Sequence, residues 1–211
     1  MHRILPILFN TDMVQAVLDG RKTATRRAVK FLPGQNPSWT GYVKDGLMLY
    51  NGRNEPCCRK PPCQLGDILY VREKWAVQSF DLTCNKILIV YADGKSQAIT
   101  VNEDRMEYYI RNYQECWKPS IHMPKEASRI WLKVTGLRME RLQDITDAEA
   151  EKEGCTDYAS TALGFFDIWD STIRRADLPV YGWDANPWVW VIKFEQCGKQ
   201  EGERSVKSGK L

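Results

Sequence analysis

The sequence predicts a mixed α+β fold, a small and partly closed β-barrel with flanking helices and extended loop insertions. Three observations point there. Short apolar runs bounded by Gly, Pro, Asn and Asp recur along the chain, as strands and their turns do. Only a few stretches carry apolar residues at the three-and-four spacing of a helix. Strands and helices do not alternate in the regular way of a doubly wound parallel sheet.

Residues 3–9 are short and apolar and predict a first strand. Asn10 or Thr11 caps a helix on which Met13, Val14, Val17 and Leu18 recur, and Gly20 stops it. A loop with Pro33, Gly34, Asn36 and Pro37 spans 31–40, and a hairpin turning at Asp45-Gly46 spans 41–50. Residues 51–66 form a second loop, rich in Pro and Cys, before the strand Ile68-Leu69-Tyr70-Val71. Ile87–Tyr91 is a further strand, 102–113 a helix, and Ile130–Leu142 the longest strand. Thr146 with Glu149 three residues on resembles a capping box opening a short helix that ends at Glu153-Gly154. A helix over Ala159–Ile173 and a strand over Trp188–Ile192 follow. With no repeat and no internal linker, residues 1–197 read as one domain and 198–211 as a disordered tail.

The 211-residue chain is 43 % apolar and 27 % charged, the composition of an ordinary globule. Its net charge is +3, much of it carried by Lys199, Arg204, Lys207 and Lys210 near the end. Overall charge therefore does not argue for nucleic acid, and such an argument must be local. No run approaches the roughly 20 apolar residues of a membrane helix, and the N-terminus turns polar too soon for a signal peptide. Seven cysteines at irregular spacing suit reduced thiols in a cytoplasm.

The local argument lies in Gly20-Arg21-Lys22-Thr23-Ala24-Thr25-Arg26-Arg27. With Lys30 it carries five cations, just past a helix end where cations are favoured. Arginine forks match phosphate, and a lysine whose pKa is lowered by burial can act as a base. In an extended chain Thr23, Thr25 and Arg27 share one face, and Lys22, Ala24 and Arg26 the other. The alternative is a solvated cationic loop. Arg72-Glu73-Lys74-Trp75 ends a strand with charges and an indole. It reads either as a rim ion pair or as a place where a base stacks. His122, in a polar and aromatic loop, reads as a loop anchor or a ligand contact. Cys57, Cys58 and Cys63 cluster, with Cys84 or Cys116 as a fourth candidate, but structural zinc uses ligand pairs twice over. Neither a metal nor a cofactor is expected.

Three segments together resemble the ASCH family, a branch of the PUA-like β-barrels. They are 19–27, Gly66-Asp67-Ile68-Leu69-Tyr70-Val71-Arg72-Glu73, and Leu142 through Gly154, in the family's order. The chain is most similar to longer ASCH proteins of phages and prophages, through its segments at 23–27, 71–75, 117–124 and 186–190. The family is taken to bind RNA, and its small members include amidohydrolases that remove the acetyl group from N4-acetylcytidine. The resemblance implies Lys22, Thr25 and Glu153 as the catalytic set. Thr25 would attack the amide carbonyl, Lys22 would take its proton, and Glu153 would protonate the leaving amine. Arg21, Thr23, Arg26, Arg27, Arg72, Glu73, Trp75 and His122 are the candidate ligand-binding residues, and Arg21 and Arg26 the cations expected to lower the Lys22 pKa. Relative to the small enzymes this chain has additions near 50–66, 76–120 and 155–185. The expected partner is a modified nucleoside, or RNA or DNA for a non-catalytic binding module or a ribonuclease.

Overall fold

The computed structural model describes residues 2–35, 42–44, 47–51, 53–113, 116–155 and 162–200. In chain order its elements are β1 (Ile4–Leu8), α1 (Thr11–Leu18), β2 (Ala24–Ala28), β3 (Tyr42–Lys44), β4 (Met48–Tyr50), β5 (Ile68–Arg72), β6 (Trp75–Asp81), β7 (Lys86–Tyr91), β8 (Ser96–Thr100), α2 (Glu103–Asn112), β9 (Trp131–Arg141), α3 (Asp147–Lys152), α4 (Ala162–Thr172), α5 (Leu178–Tyr181) and β10 (Trp188–Cys197). The fold is mixed α+β. No helix among the described residues is long and apolar enough to cross a membrane.

The chain forms two compact units, each assembled from separate stretches of sequence. The first comprises the described parts of Met1–Leu18, Ile68–Lys133 and Gln196–Leu211; the second, those of Asp19–Asp67 and Val134–Glu195.

In the first unit β1 runs parallel to β5, from Ile4 opposite Ile68 to Leu8 opposite Arg72. The start of β9 pairs antiparallel on β5, with Trp131 opposite Tyr70. Asn10 accepts the Met13 N–H at 2.8 Å and so caps α1. After α1, Gly20 at φ +75° supplies the left-handed turn that a side chain would resist. β6, β7 and β8 form an antiparallel meander with a register shift between Val77 and Ser79. Alternation turns Trp75, Val77, Ile87, Ile89 and Tyr91 inward onto Met106 and Tyr109 of α2. Asn102 caps that helix by accepting the Arg105 N–H.

Three expectations change in this unit. The stretch 76–120 holds a whole sheet-and-helix layer, with β6 and β8 on either side of the one strand legible in sequence. Trp75 is core, not a stacking surface: it is fully buried, with its ring 4.9 Å from that of Tyr113. Residues 198–200, expected to belong to the tail, are among those described. Lys199 donates to the Glu126 carbonyl at 3.3 Å and lies over the Trp131 ring at 6.0 Å.

In the second unit the strand order is β9-β10-β2. β2 lies antiparallel on β10, with Arg26 opposite Val191, Thr25 opposite Ile192 and Arg27 opposite Trp190. Side chains opposite one another share a face, so Arg26 and Ala28 lie with Val189 and Val191. Leu142, Ile145, Ala150, Phe165 and Trp169 pack on that face and form the core. β3 and β4 pair antiparallel, as a hairpin requires. Its turn at Asp45-Gly46 lies outside the described residues, as does the expected start of α4 at 159–161. Thr146 stands at the N-cap of α3, but its side chain makes no capping bond. Half of the capping box forms: the Glu149 carboxylate takes the Thr146 backbone N–H while also binding Arg26 and Arg138, and only the Thr146 side-chain bond is missing.

Trp75→Ala removes a fully buried indole from a packed cluster. It should cost about 3–5 kcal/mol in chemical denaturation, against a much smaller loss for an exposed tryptophan such as Trp117.

Candidate functional site

The site stands at the C-terminal end of α3, which the sequence segment 21–23 meets residue for residue. Arg21 Nη1 donates to the Gly154 carbonyl at 3.0 Å, and Lys22 Nζ to the Glu153 carbonyl at 2.9 Å. The Thr23 backbone N–H donates to the Lys152 carbonyl at 2.8 Å. A helix leaves its last carbonyls without partners, and cations are favoured there. The basic segment thus serves the end of α3, not the end of α1 that precedes it in sequence. Gly154 at φ +94° turns the chain out of the helix.

Lys22 also reaches the Glu153 side chain, Nζ to Oε2 at 2.7 Å, and both side chains are buried (0 % and 4 % exposed). Arg26, 0 % exposed, projects into the same cluster. Its Nη1 meets Glu153 Oε1 at 3.2 Å, and its Nη2 meets Glu140 Oε1 at 2.6 Å and Glu149 Oε2 at 2.9 Å. Arg138 closes the ring by binding Glu140 at 2.7 Å and also Glu149. Phe165 covers one side, 5.8 Å from the Arg26 guanidinium. Three cations therefore face three carboxylates. Such a balance is what permits charges to be buried at all.

The electrostatics of the pair favour a proton-handling lysine. Burial pulls the Lys22 pKa below its ordinary 10.5; Glu153 opposes the shift and Arg27 adds to it. The neighbour that lowers it is Arg27, not the expected Arg21 and Arg26. Burial works against the Glu149 carboxylate, but Arg138 and Arg26 win and hold it below its ordinary value of 4.5. Cys155, also buried, lies in the field of the same charges: burial and Glu153 push its thiol up, while Lys22 and Arg26 oppose.

Of the implied catalytic set, the fold brings Lys22 and Glu153 into direct contact. Thr25 is equally buried at 1 %, but strand alternation places it on the face of β2 opposite Arg26. Thr23 is exposed and Arg27 half-buried. Arg26 is fully engaged by carboxylates and is not available to a phosphate in this arrangement.

Arg72, Glu73, Trp75 and His122 belong to the first unit. The expected Arg72–Glu73 pair does not form, because the two side chains find other partners. Glu73 is held by Arg129 at 2.8 and 2.7 Å, and Arg129 also binds Asp93 at 2.9 Å. Burial raises the Glu73 pKa, with Arg129 opposing. Arg72 donates to the Ile121 carbonyl at 3.0 Å and the Tyr70 hydroxyl at 3.1 Å. His122 is exposed, and its carbonyl accepts from Tyr113 at 3.4 Å. Cys57, Cys58 and Cys63 are buried and form no disulfide, and no metal-ligand trio of His, Cys, Asp or Glu gathers among the described residues.

Sequence reasoning missed Arg138 and Glu140. A signal for them existed: Arg138 and Glu140 stand two residues apart in a strand, flank the apolar Met139 and share one face, where opposite charges invite partners.

Arg26→Ala should cost about 3–5 kcal/mol in denaturation, because three carboxylates lose their common partner. Arg26→Lys should recover little of it, since one ammonium lacks the guanidinium fork. Glu149 contributes stability above pH 4.5 that is lost as pH falls through its lowered pKa. The stability difference between wild type and Glu149→Gln should therefore shrink on acidification, as followed by denaturation at stepped pH.

Compared with known protein families, curated proteins and solved structures, the chain matches none of them.

Proposed function

We propose that the protein is a PUA-like, ASCH-type β-barrel enzyme that removes an acyl group from N4-acetylcytidine-like nucleosides. The observation that carries this reading is the buried Lys22–Glu153 contact at 2.7 Å, with the lysine pKa drawn down. A lysine and a carboxylate in contact and out of water can share one proton. With the proton on Glu153, the neutral amine of Lys22 is a base and the carboxyl an acid. The Thr25 hydroxyl then attacks the acyl carbonyl and its proton passes to Lys22. The C–N bond breaks, the nucleobase amine takes the Glu153 proton, and the acyl group stays as an ester on Thr25. Water hydrolyses that ester to the free acid and restores the hydroxyl. Lys22 and Thr25 are both buried, and Thr25 points to the face of β2 opposite Arg26, so the reaction requires a motion that brings its hydroxyl to Lys22 and admits substrate.

The use of Arg26 supports a nucleoside over a polymer at this site. A phosphate-binding segment needs cations facing the ligand, whereas Arg26 is spent on three carboxylates.

Incubation with a panel of N4-acylated cytidines, read by mass spectrometry, should show release of cytidine at a rate that barely responds to salt. Glu153→Gln and Thr25→Val should lower kcat by at least about a hundredfold, the scale of a lost acid–base or nucleophilic group, with circular dichroism unchanged. Activity should fall as pH rises through the lowered Lys22 pKa, because the pair then gives up the single proton that Glu153 must hold to protonate the leaving amine. No turnover of any acylated nucleoside, or full activity in both variants, contradicts the reading.

A further inference from the structure

The β6-β7-β8 sheet of the first unit buries one face under α2, and its other face is partly exposed, with Leu88 and Val90 half-buried and Ala98 exposed. Alternation puts Ala76, Leu88, Val90 and Ala98 on the open face, opposite the inward Val77, Ile87, Ile89 and Tyr91. At its edge the chain returns as an antiparallel bridge. The Trp75 N–H donates to the Lys118 carbonyl at 3.3 Å, and the Lys118 N–H to the Trp75 carbonyl at 2.7 Å. Bridged residues point to the same side, so their neighbours Lys74, Ala76 and Trp117 are turned together to the open side. The bridge thus holds an indole, 49 % exposed, with the Lys74 ammonium over one face of its ring, 5.5 Å from the centre, so a ligand ring would take the other face. Ala76, Val77, Gln78, Val90, Cys116 and Trp117 line a groove of about 280 Å³ there.

Among the described residues the lining has an apolar floor, an aromatic wall, one side-chain amide able to donate and accept, and no carboxylate. A lysine stands at the rim. This combination complements a flat, weakly polar ring with a negative charge close by. A single-stranded nucleic acid supplies both: an unstacked base for the indole and amide, and a phosphate for the ammonium. A duplex does not, since its bases are already stacked.

We propose that this groove binds one base of a single-stranded nucleic acid, stacked on Trp117, with Lys74 at the adjoining phosphate. The site lies wholly in the first unit and does not depend on the hydrolase reading of Lys22 and Glu153.

Fluorescence anisotropy with labelled single strands of about ten nucleotides, in DNA and RNA forms and with a duplex control, tests it. Wild type should bind the single strands more tightly than the duplex. Trp117→Ala should weaken single-strand binding by roughly 5- to 150-fold, the loss of one stacked base, and Trp117→Phe should restore most of it. Lys74→Ala should reduce the salt dependence of binding by about 0.7 in the log–log slope, one phosphate contact on a single strand. Absent single-strand binding by wild type, unchanged affinity in Trp117→Ala, or wild-type affinity in Trp117→Leu would each overturn the proposal. The last outcome would mark the groove as a seat for an apolar side chain of another protein.

Discussion

One guanidinium organises the second unit. Arg26 is a strand residue whose neighbours on the same face are apolar, yet its charge is buried against Glu140, Glu149 and Glu153. A buried arginine is tolerated only when its donors are met, and here the acceptors come from β9, from α3 and from the residue that ends α3. That requirement fixes where α3 sits on the sheet. It also fixes the orientation of Glu153, which presents one carboxylate oxygen to Arg26 and the other to Lys22. The Lys22–Glu153 pair is thus positioned by a structural arginine. Segment 21–23 adds a second tie by filling the carbonyls at the end of α3.

This arrangement separates two uses of positive charge that look alike in sequence. Arg26 and Lys22 are internal and matched to carboxylates, so they contribute little field outside the protein. Exposed cations, by contrast, act on ligands directly. In the first unit Lys74 lies over an exposed indole, the pair proposed above to meet a ligand. The same unit buries its own charges separately, with Arg129 serving Glu73 and Asp93. In each unit, therefore, a buried arginine holds acidic residues from separate segments, and the groups suited to ligands are different ones.

Much of this fold was legible in the sequence where a local rule decides the outcome. Asn10 as a cap, Gly20 as a stop, the run at 68–71 and the long strand ending near Arg141 follow from spacing and turn chemistry alone. β6 and β8 were not legible, because Ser, Gln, Ala and Thr on an open face give no strong alternation. Trp75 misled because an indole beside three charged residues resembles a surface platform; only the turn between β5 and β6 sends it inward. The pairing of Lys22 with Glu153 came from resemblance, and the structure adds its physical reason. Arg138 and Glu140 escaped because the charge they neutralise lies over a hundred residues away in sequence, as Arg26 Nε to Glu140 Oε1 shows. Glu149 shows the same layering: the local bond to the Thr146 N–H was legible, and the long-range bonds to Arg26 and Arg138 were not.

The central claim is that burial leaves Lys22 able to give up its proton while still in contact with Glu153. Direct titration of the Lys22 side-chain amine by NMR, with the signal assigned through Lys22→Arg, measures this on the folded protein. The account predicts a midpoint below the ordinary 10.5, because loss of water outweighs the attraction of Glu153. A midpoint at or above 10.5 would show the pair to be a plain ion pair and would contradict the account.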